Sequence, residues 1–279
     1  MRVRLTHLLY GNGQPADGLG REIAQGERRV FVPGWLPCGE CARCRRGLVA
    51  VCPRGRRLIE GEGPVALEHE VDGRFVTGID EPVGVAPLDD AHAACAGAVA
   101  SVIEATARAG LGPEQVSVWL GLDPRSRIGA RFAAKRGCPS LVAAHGQPPS
   151  VVDVGVTVLP ASAAAWADAV RAVAPIGPEL RPRRLFVAGD EPEAAADAMT
   201  LVEPGTTLVF LGAPAAAVRI DQLVLCRVLI GGGRYHPDLI PEALAALRTD
   251  PDLVDGLLVS GADRSPGYLA LVGLGETSP

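Results

Sequence analysis

Residues 38–52 read Cys-Gly-Glu-Cys-Ala-Arg-Cys-Arg-Arg-Gly-Leu-Val-Ala-Val-Cys, with four cysteines spaced C-x2-C-x2-C-x7-C. Thiolate is a soft ligand that zinc accepts, and four of them fill a tetrahedral shell with no position left for substrate. Such a site holds a loop in shape and does no chemistry on a bound molecule. The spacing points to a structural zinc on Cys38, Cys41, Cys44 and Cys52. Disulfides, an iron–sulfur cluster and unpaired thiols are the alternatives. Bridges between cysteines three apart are geometrically awkward. The opening Met-Arg-Val-Arg-Leu-Thr-His also lacks the hydrophobic stretch of an export signal. Zinc is therefore preferred, and a reducing cytoplasm is the expected compartment. Cys95, Cys138 and Cys226 are scattered and read as core thiols.

Arg43, Arg45, Arg46, Arg54, Arg56 and Arg57 crowd the same lobe. Arginines around a zinc lobe can bind nucleic acid by neutralising phosphate and reading bases. No aromatic residue sits among them to stack bases, and Glu40, Glu60 and Glu62 lie close in sequence. A solvated basic face is the preferred reading, and nucleic acid is disfavoured as a partner. The net charge of −5 agrees, since the surface as a whole has no attraction for polyanions or anionic membranes. Ser, His and acidic residues show no nucleophile-elbow or triad spacing. Glu68-His69-Glu70-Val71-Asp72 reads as an exposed acidic turn, His236 as a loop residue and Trp119 as core.

The elements that must position these residues follow from the texture of the chain. With 279 residues, 48% of them hydrophobic, it is long enough for one large or two ordinary domains. No apolar run approaches the roughly 18 residues of a membrane span. Lys135 is the only lysine, a composition bias that carries no functional signal. The first 85 residues hold short strand-like runs, 28–32 and 73–77, broken by turn residues, which suits an irregular β-domain. From Asp89 the texture changes to a long Ala-rich helical stretch over 89–109 with an acidic start. Apolar strands at 116–120, 141–144, 156–159, 184–188, 207–211 and 228–230 then alternate with helices at 128–136, 163–173, 193–202 and 241–248. Repeated β-α alternation with non-alternating strands predicts an α/β fold with a doubly wound parallel sheet. The expected domains are 1–88, with the zinc lobe at 38–52, then 89–250, then a C-terminal return segment over 251–279.

Three stretches together resemble a known family. Val30-Phe31-Val32-Pro33-Gly34-Trp35-Leu36-Pro37 runs into the four-cysteine lobe, Glu203–Gly212 looks like a late Rossmann strand with its turn, and 229–248 resembles the end of such a domain. In this order they resemble the medium-chain dehydrogenase/reductase family, particularly its zinc-containing alcohol dehydrogenases. The resemblance implies a GroES-like β-domain, here shortened at its N-terminus, carrying the structural zinc lobe, followed by a Rossmann-type domain. It implies an oxidoreductase acting on an alcohol or carbonyl with NAD(P). It also implies dimerisation through a sheet edge, here 228–232, or association with an intact family member.

The resemblance implies a second, catalytic zinc with an open coordination position that polarises the reacting oxygen. Its ligand positions fall on Arg4, on Arg21 within Leu19-Gly20-Arg21-Glu22, and on Ala96 or Gly97. Arginine is a fixed cation with no lone pair to give, and the third position has no donor either. A relocated site on His7, Glu22, His69 and Cys95 is the remaining metal option. The dinucleotide fingerprint G-x-G-x-x-G, which lets backbone amides approach a diphosphate, corresponds to Gly121-Leu122-Asp123-Pro124-Arg125-Ser126-Arg127-Ile128-Gly129. Asp123 stands at the middle glycine, and about three extra residues precede Ile128-Gly129. Gly121, Gly129, Arg125 and Arg127 are the candidate cofactor residues, with His145 after the second strand, although solvated loop positions are the preferred reading of Arg125, Arg127 and His145. The expectation is a divergent member that has lost zinc-assisted catalysis and serves as a binding or scaffold subunit. The enzyme alternative is a zinc-independent reductase with Tyr10, Thr6 or His7 as donor.

Overall fold

A computed structural model describes residues 1–11, 14–23, 28–59, 68–80, 86–121, 123–143, 157–159, 183–187, 192–211, 227–230, 235–260 and 269–274. The expected helix at 163–173, His145 and Cys226 lie outside these. The chain forms two units, Met1–Ala100 with Arg234–Pro279, and Ser101–Gly233. Bounds drawn from texture stand at 88 and 250.

The first unit is built on the antiparallel pair β1 (Arg2–Gly11) and β2 (Gln14–Glu22), in register Leu5 opposite Gly20 and Leu8 opposite Gly18. Val3 and Leu5 are buried while Arg2 and Arg4 are exposed, the period-two alternation of a strand with one wet face. β3 (Arg29–Val32) extends the sheet beside β2. Two-residue strand β4 (Trp35–Leu36) leads into the lobe with its helix α1 (Ala42–Arg45), and β5 (Arg56–Arg57) closes it back on β4. β6 (Glu68–Glu70) pairs with β1 and β7 (Thr77–Gly78) with β3. His69 thus sits in a strand opposite Val3, where an acidic turn was expected. The strand expected at 73–77 is a 3-10 turn over Gly73–Phe75, because the Asp72 carboxylate accepts from the Arg74 amide and caps it. The helical stretch at 89–109 is two helices, α2 (Asp90–Ala94) and α3 (Ala96–Ala109). They divide at Cys95, whose amide bonds back to His92 O in a tightened last turn. Val3, Leu5, Leu8, Val30, Val32, Leu36, Leu58 and Val71 form the core.

The second unit is a six-stranded parallel sheet. Its strands are β8 (Val116–Leu120), β9 (Ser140–Ala143), β10 (Thr157–Leu159), β11 (Arg183–Val187), β12 (Thr207–Phe210) and β13 (Arg227–Ile230), ordered β10-β9-β8-β11-β12-β13. The order runs outward in both directions from β8 and β11, the doubly wound arrangement of dinucleotide-binding domains. All residues of β8, β9 and β12 are buried, as parallel strands between helical layers must be. Trp119 stacks on Phe186 with centroids 4.0 Å apart, and its indole N–H donates to Ser117 Oγ at 3.2 Å. Helices α4 (Pro124–Lys135) and α5 (Pro192–Thr200) serve this unit.

The chain then returns to the first unit with α6 (Ile240–Thr249), β14 (Leu258–Ser260) and β15 (Leu269–Gly273), the last in register with β1 at Leu9 opposite Leu271.

 The β15 strand spans Leu269–Gly273 and also pairs with β14 in parallel. Residues 258–260 and 269–273 of the return segment are therefore strands of this sheet, and that pairing explains why residues beyond 250 belong with the N-terminal strands. Among the described residues, no helix is long and apolar enough to cross a membrane.

Candidate functional site

The four cysteines converge. Cys41 caps α1, and its Sγ accepts from the Cys44 amide at 3.5 Å. The Cys38 Sγ accepts from the Cys41 amide and the Cys52 Sγ from the Cys38 amide, both at 3.4 Å. Sulfur–sulfur distances are 4.0 Å for Cys38–Cys44, 3.8 Å for Cys41–Cys52 and 3.5 Å for Cys38–Cys52. A tetrahedron with zinc–sulfur bonds of about 2.3 Å has edges of about 3.8 Å, so this set fits a four-thiolate ion. The Glu40 backbone hydrogen bond, above all, brings the Cys38 thiol down to about 6. Cys41 is lowered chiefly by the Cys44 amide, while burial pushes Cys44 up to about 12. Among the described residues this is the only group of three or more His, Cys, Asp or Glu side chains placed to share an ion.

The turn after β8 is tighter than its sequence suggests. Gly121 has φ +107°, which a side chain would strain, and its amide donates to Ala143 O at 2.9 Å. Helix α4 then starts at Pro124, four residues before the expected start at Ile128, because Asp123 is an N-cap and Pro124 suits the first helical position. The Asp123 carboxylate accepts from the Arg125 amide at 2.9 Å. It also takes both forks of the Arg125 guanidinium, Nε at 2.9 Å and Nη2 at 2.7 Å. Arg125 Nη1 reaches on to Leu211 O, just past β12, at 3.3 Å. Asp123 is 6% exposed and Arg127 4% exposed. Neither arginine is a solvated loop residue; both belong to the first turns of α4. The extra residues of the fingerprint are that first helical turn. Gly129 lies inside α4, where a Cβ would overlap the Trp119 ring, so it allows close helix–strand packing.

The positions corresponding to catalytic metal ligands hold no donor set. Arg4 and Arg21 are cross-strand partners, both exposed, and Arg4 pairs with Glu68 at 3.3 Å. Ala96 is buried. The relocated site is contradicted, because His7, Glu22, His69 and Cys95 do not assemble. His7 faces Asp90 at 3.8 Å, Glu22 pairs with Arg28 at 3.3 Å, and the buried Cys95 thiol points to Ala91 O at 3.5 Å. Burial pushes that thiol up, away from the thiolate a metal needs.

Sequence reasoning missed Asp17. This buried acid accepts from Tyr235 Oη at 2.6 Å and from the Gly34 amide at 2.8 Å. A Cβ on Gly97 would strike the Asp17 carboxylate and the Tyr235 ring, so glycine there lets the acid approach the first turn of α3. Burial and the neighbouring Asp17 hold the Tyr235 phenol well above its ordinary range. Partners 218 positions apart leave no local signal. A cleft of about 100 Å³ lies against one face of the β1–β2 pair, lined by Thr6, His7, Arg21, Arg29 and Asp90 among others. His7 Nδ1 stands 3.1 Å from Thr6 Oγ1, which donates to Leu19 O. The Tyr10 side chain lies outside what is described.

No family model and no curated protein matches the chain. Solved structures do. The alcohol dehydrogenase of Thermus sp. ATN1 aligns at TM-score 0.73 and 18% identity over 98% of this chain and 91% of its own. A zinc-binding dehydrogenase of Sinorhizobium meliloti 1021, bound to NADP, gives 0.73 and 15% over the same shares. An Escherichia coli CFT073 alcohol dehydrogenase complexed with NADH gives 0.70 and 15%, again over 98% and 91%. The chain has the medium-chain dehydrogenase fold. At these identities the likeness is one of fold, and it bears out the GroES-like and Rossmann-type architecture read from the sequence.

Proposed function

We propose that this chain is a divergent zinc-type alcohol dehydrogenase-like protein without catalytic zinc and with a closed dinucleotide seat, working as a binding or scaffold subunit. The observation that carries this reading is the Asp123 carboxylate, held on the first turn of α4 and gripped by Arg125. That helix start is where a diphosphate would take backbone amides. A fixed negative charge already there repels it, and the amide of Arg125 is spent. Arg21 and Gly97 support the same reading from the other unit, since neither can hold a metal that polarises a carbonyl. Cys38, Cys41, Cys44 and Cys52 hold a structural zinc, and neutralisation by the ion offsets the cost of packing four thiols together. A sheet-edge homodimer through 228–232, or pairing with an intact relative, suits a subunit of this kind.

The cleft beside β1 favours a second reading, a zinc-independent alcohol or carbonyl oxidoreductase. There Thr6 or His7 would donate to the reacting oxygen in place of a metal. A screen of carbonyl substrates with NADH and NADPH, together with zinc analysis, separates the two. The scaffold reading expects one zinc per chain and no turnover. Turnover lost on His7→Ala or Thr6→Val would overturn it in favour of the second.

A further inference from the structure

The tip of the four-cysteine lobe joins an apolar pair to positive charge that nothing nearby neutralises. Helix α1 ends at Arg45, and Arg46, Gly47 and Leu48 follow it, all exposed. Their backbone is tied down. The Gly47 amide donates to Cys44 O, the Leu48 amide to Arg43 O and the Val51 amide to Leu48 O. The Arg43 guanidinium closes the turn by donating to Val51 O at 2.9 Å. Inside the turn, Val49 packs with Cys44 and Cys52. Leu48 and Val51 are left outside, each 52% exposed, and Ile23 is the one other large hydrophobic side chain exposed among the described residues.

Residues 38–57 carry six arginines, all exposed, against one acid, Glu40. The arginines outnumber that acid even after the two negative charges that four thiolates leave around a zinc ion. Arg43 and Arg56 donate to the backbone carbonyls of Val51 and Glu70, which occupy a guanidinium without neutralising it. Arg45 and Arg46, beside Leu48 in the chain, make no ion pair among the described residues. Asp72 begins the 3-10 turn that packs Phe75 against the lobe, and its carboxylate is taken by Arg74. With the whole chain at −5, the remainder outside the lobe is net acidic. An anionic surface therefore attracts this tip and repels the rest of the molecule, which orients the approach.

We propose that the tip docks on an anionic lipid bilayer, with Arg45 and Arg46 among the headgroups and Leu48 and Val51 entering the acyl boundary. A nucleic acid would use the arginines but has no place for the aliphatic pair, and no aromatic residue stands among them to stack a base. A bilayer uses both, because negative charge and hydrocarbon lie within a side chain's length of each other. The contact goes beyond the subunit reading and stands whether or not the chain turns over a substrate.

Cosedimentation of the zinc-replete full chain with vesicles tests this. Binding is expected to phosphatidylcholine vesicles holding about one-third phosphatidylserine, and not to phosphatidylcholine alone. It should weaken about tenfold or more between roughly 0.05 and 0.5 M salt. Arg45→Gln with Arg46→Gln should cost about tenfold or more, at roughly fivefold per arginine. Leu48→Ser with Val51→Ser should cost about tenfold while leaving the charge and the melting curve unchanged. Leu48→Trp should bind more tightly than the native chain, a gain that no misfolded variant would give. No binding to the anionic vesicles at low salt, or equal binding to both kinds, overturns the proposal. Binding that ignores Leu48 and Val51 also overturns it, and gives the lobe to polyanions in general. Self-association or DNA binding that depends on Arg45 and Arg46 without any vesicle binding would overturn it in favour of those partners.

Discussion

Replacing Asp123 by glycine should open the seat that the native carboxylate fills. In the native chain the carboxylate accepts one backbone amide and two guanidinium donors. A unit negative charge about 4 Å from an incoming phosphate costs about 4 kcal/mol at an effective dielectric of about 20. Removing it is therefore worth up to about a thousandfold in affinity, at about 1.4 kcal/mol per decade. Screening by solvent at the mouth of the turn lowers this to about a hundredfold. Arg125, released from Asp123, adds a cation at the same place. The cost to folding is modest. Glycine for an N-cap acid costs a few tenths of a kcal/mol, and loss of the largely buried Asp123–Arg125 pair about 1–3 kcal/mol more. The melting temperature should fall by about 2–4 °C per kcal/mol. Calorimetric titration with pyrophosphate and with NADPH reads the gain, and Asp123→Asn, which removes the charge but keeps a cap, should recover most of it. A folded Asp123→Gly protein that binds no better than the native one would refute the reasoning.

Three further outcomes follow from the same geometry. If the lobe holds the proposed zinc, chelating it, or Cys44→Ser, should cost about 3 kcal/mol or more and lower the melting temperature by roughly 6–12 °C; a chelated protein with an unchanged melting curve would contradict the proposal. Gly97→Ala drives a methyl group into the Asp17 carboxylate and the Tyr235 ring and should cost about 1–3 kcal/mol in urea unfolding; a neutral result would mean that α3 shifts freely away. The Tyr235 phenol, raised by burial and by Asp17, should stay protonated as pH passes 10. Folding favours its neutral form, so that stability is fully present below the unfolded pKa of about 10 and is lost as pH climbs through the higher folded value. Tyrosinate absorbance during alkaline titration, compared with Tyr235→Phe, shows whether this phenol ionises only as the protein unfolds.

What the sequence revealed follows from how local each determinant is. The four cysteines lie within one lobe, so their spacing alone announces the cluster. The strands of the second unit are buried on both faces and read as unbroken apolar runs, which is why the expected strand at 116–120 matches β8 residue for residue. Helix α4 starts before the expected Ile128 because Asp123 caps it and Pro124 suits its first turn, a local signal that the spacing of a dinucleotide fingerprint does not register. The return segment over 251–279 gives no strand signal of its own because five-residue β15 gains its meaning only from pairing with β1, at the far end of the chain. Asp17 and Tyr235 depend on the same return of the chain, and nothing near either residue foretells the other.

The central claim is that a dehydrogenase fold has here been closed to its dinucleotide. Titrating the zinc-replete native chain with NADH and NADPH in a calorimeter tests it most directly. The account predicts no saturable heat up to about millimolar cofactor, the weak regime of about −4 kcal/mol. Saturable binding at about micromolar concentration, near −8 kcal/mol, would show that the Asp123 turn still seats a diphosphate and would contradict it.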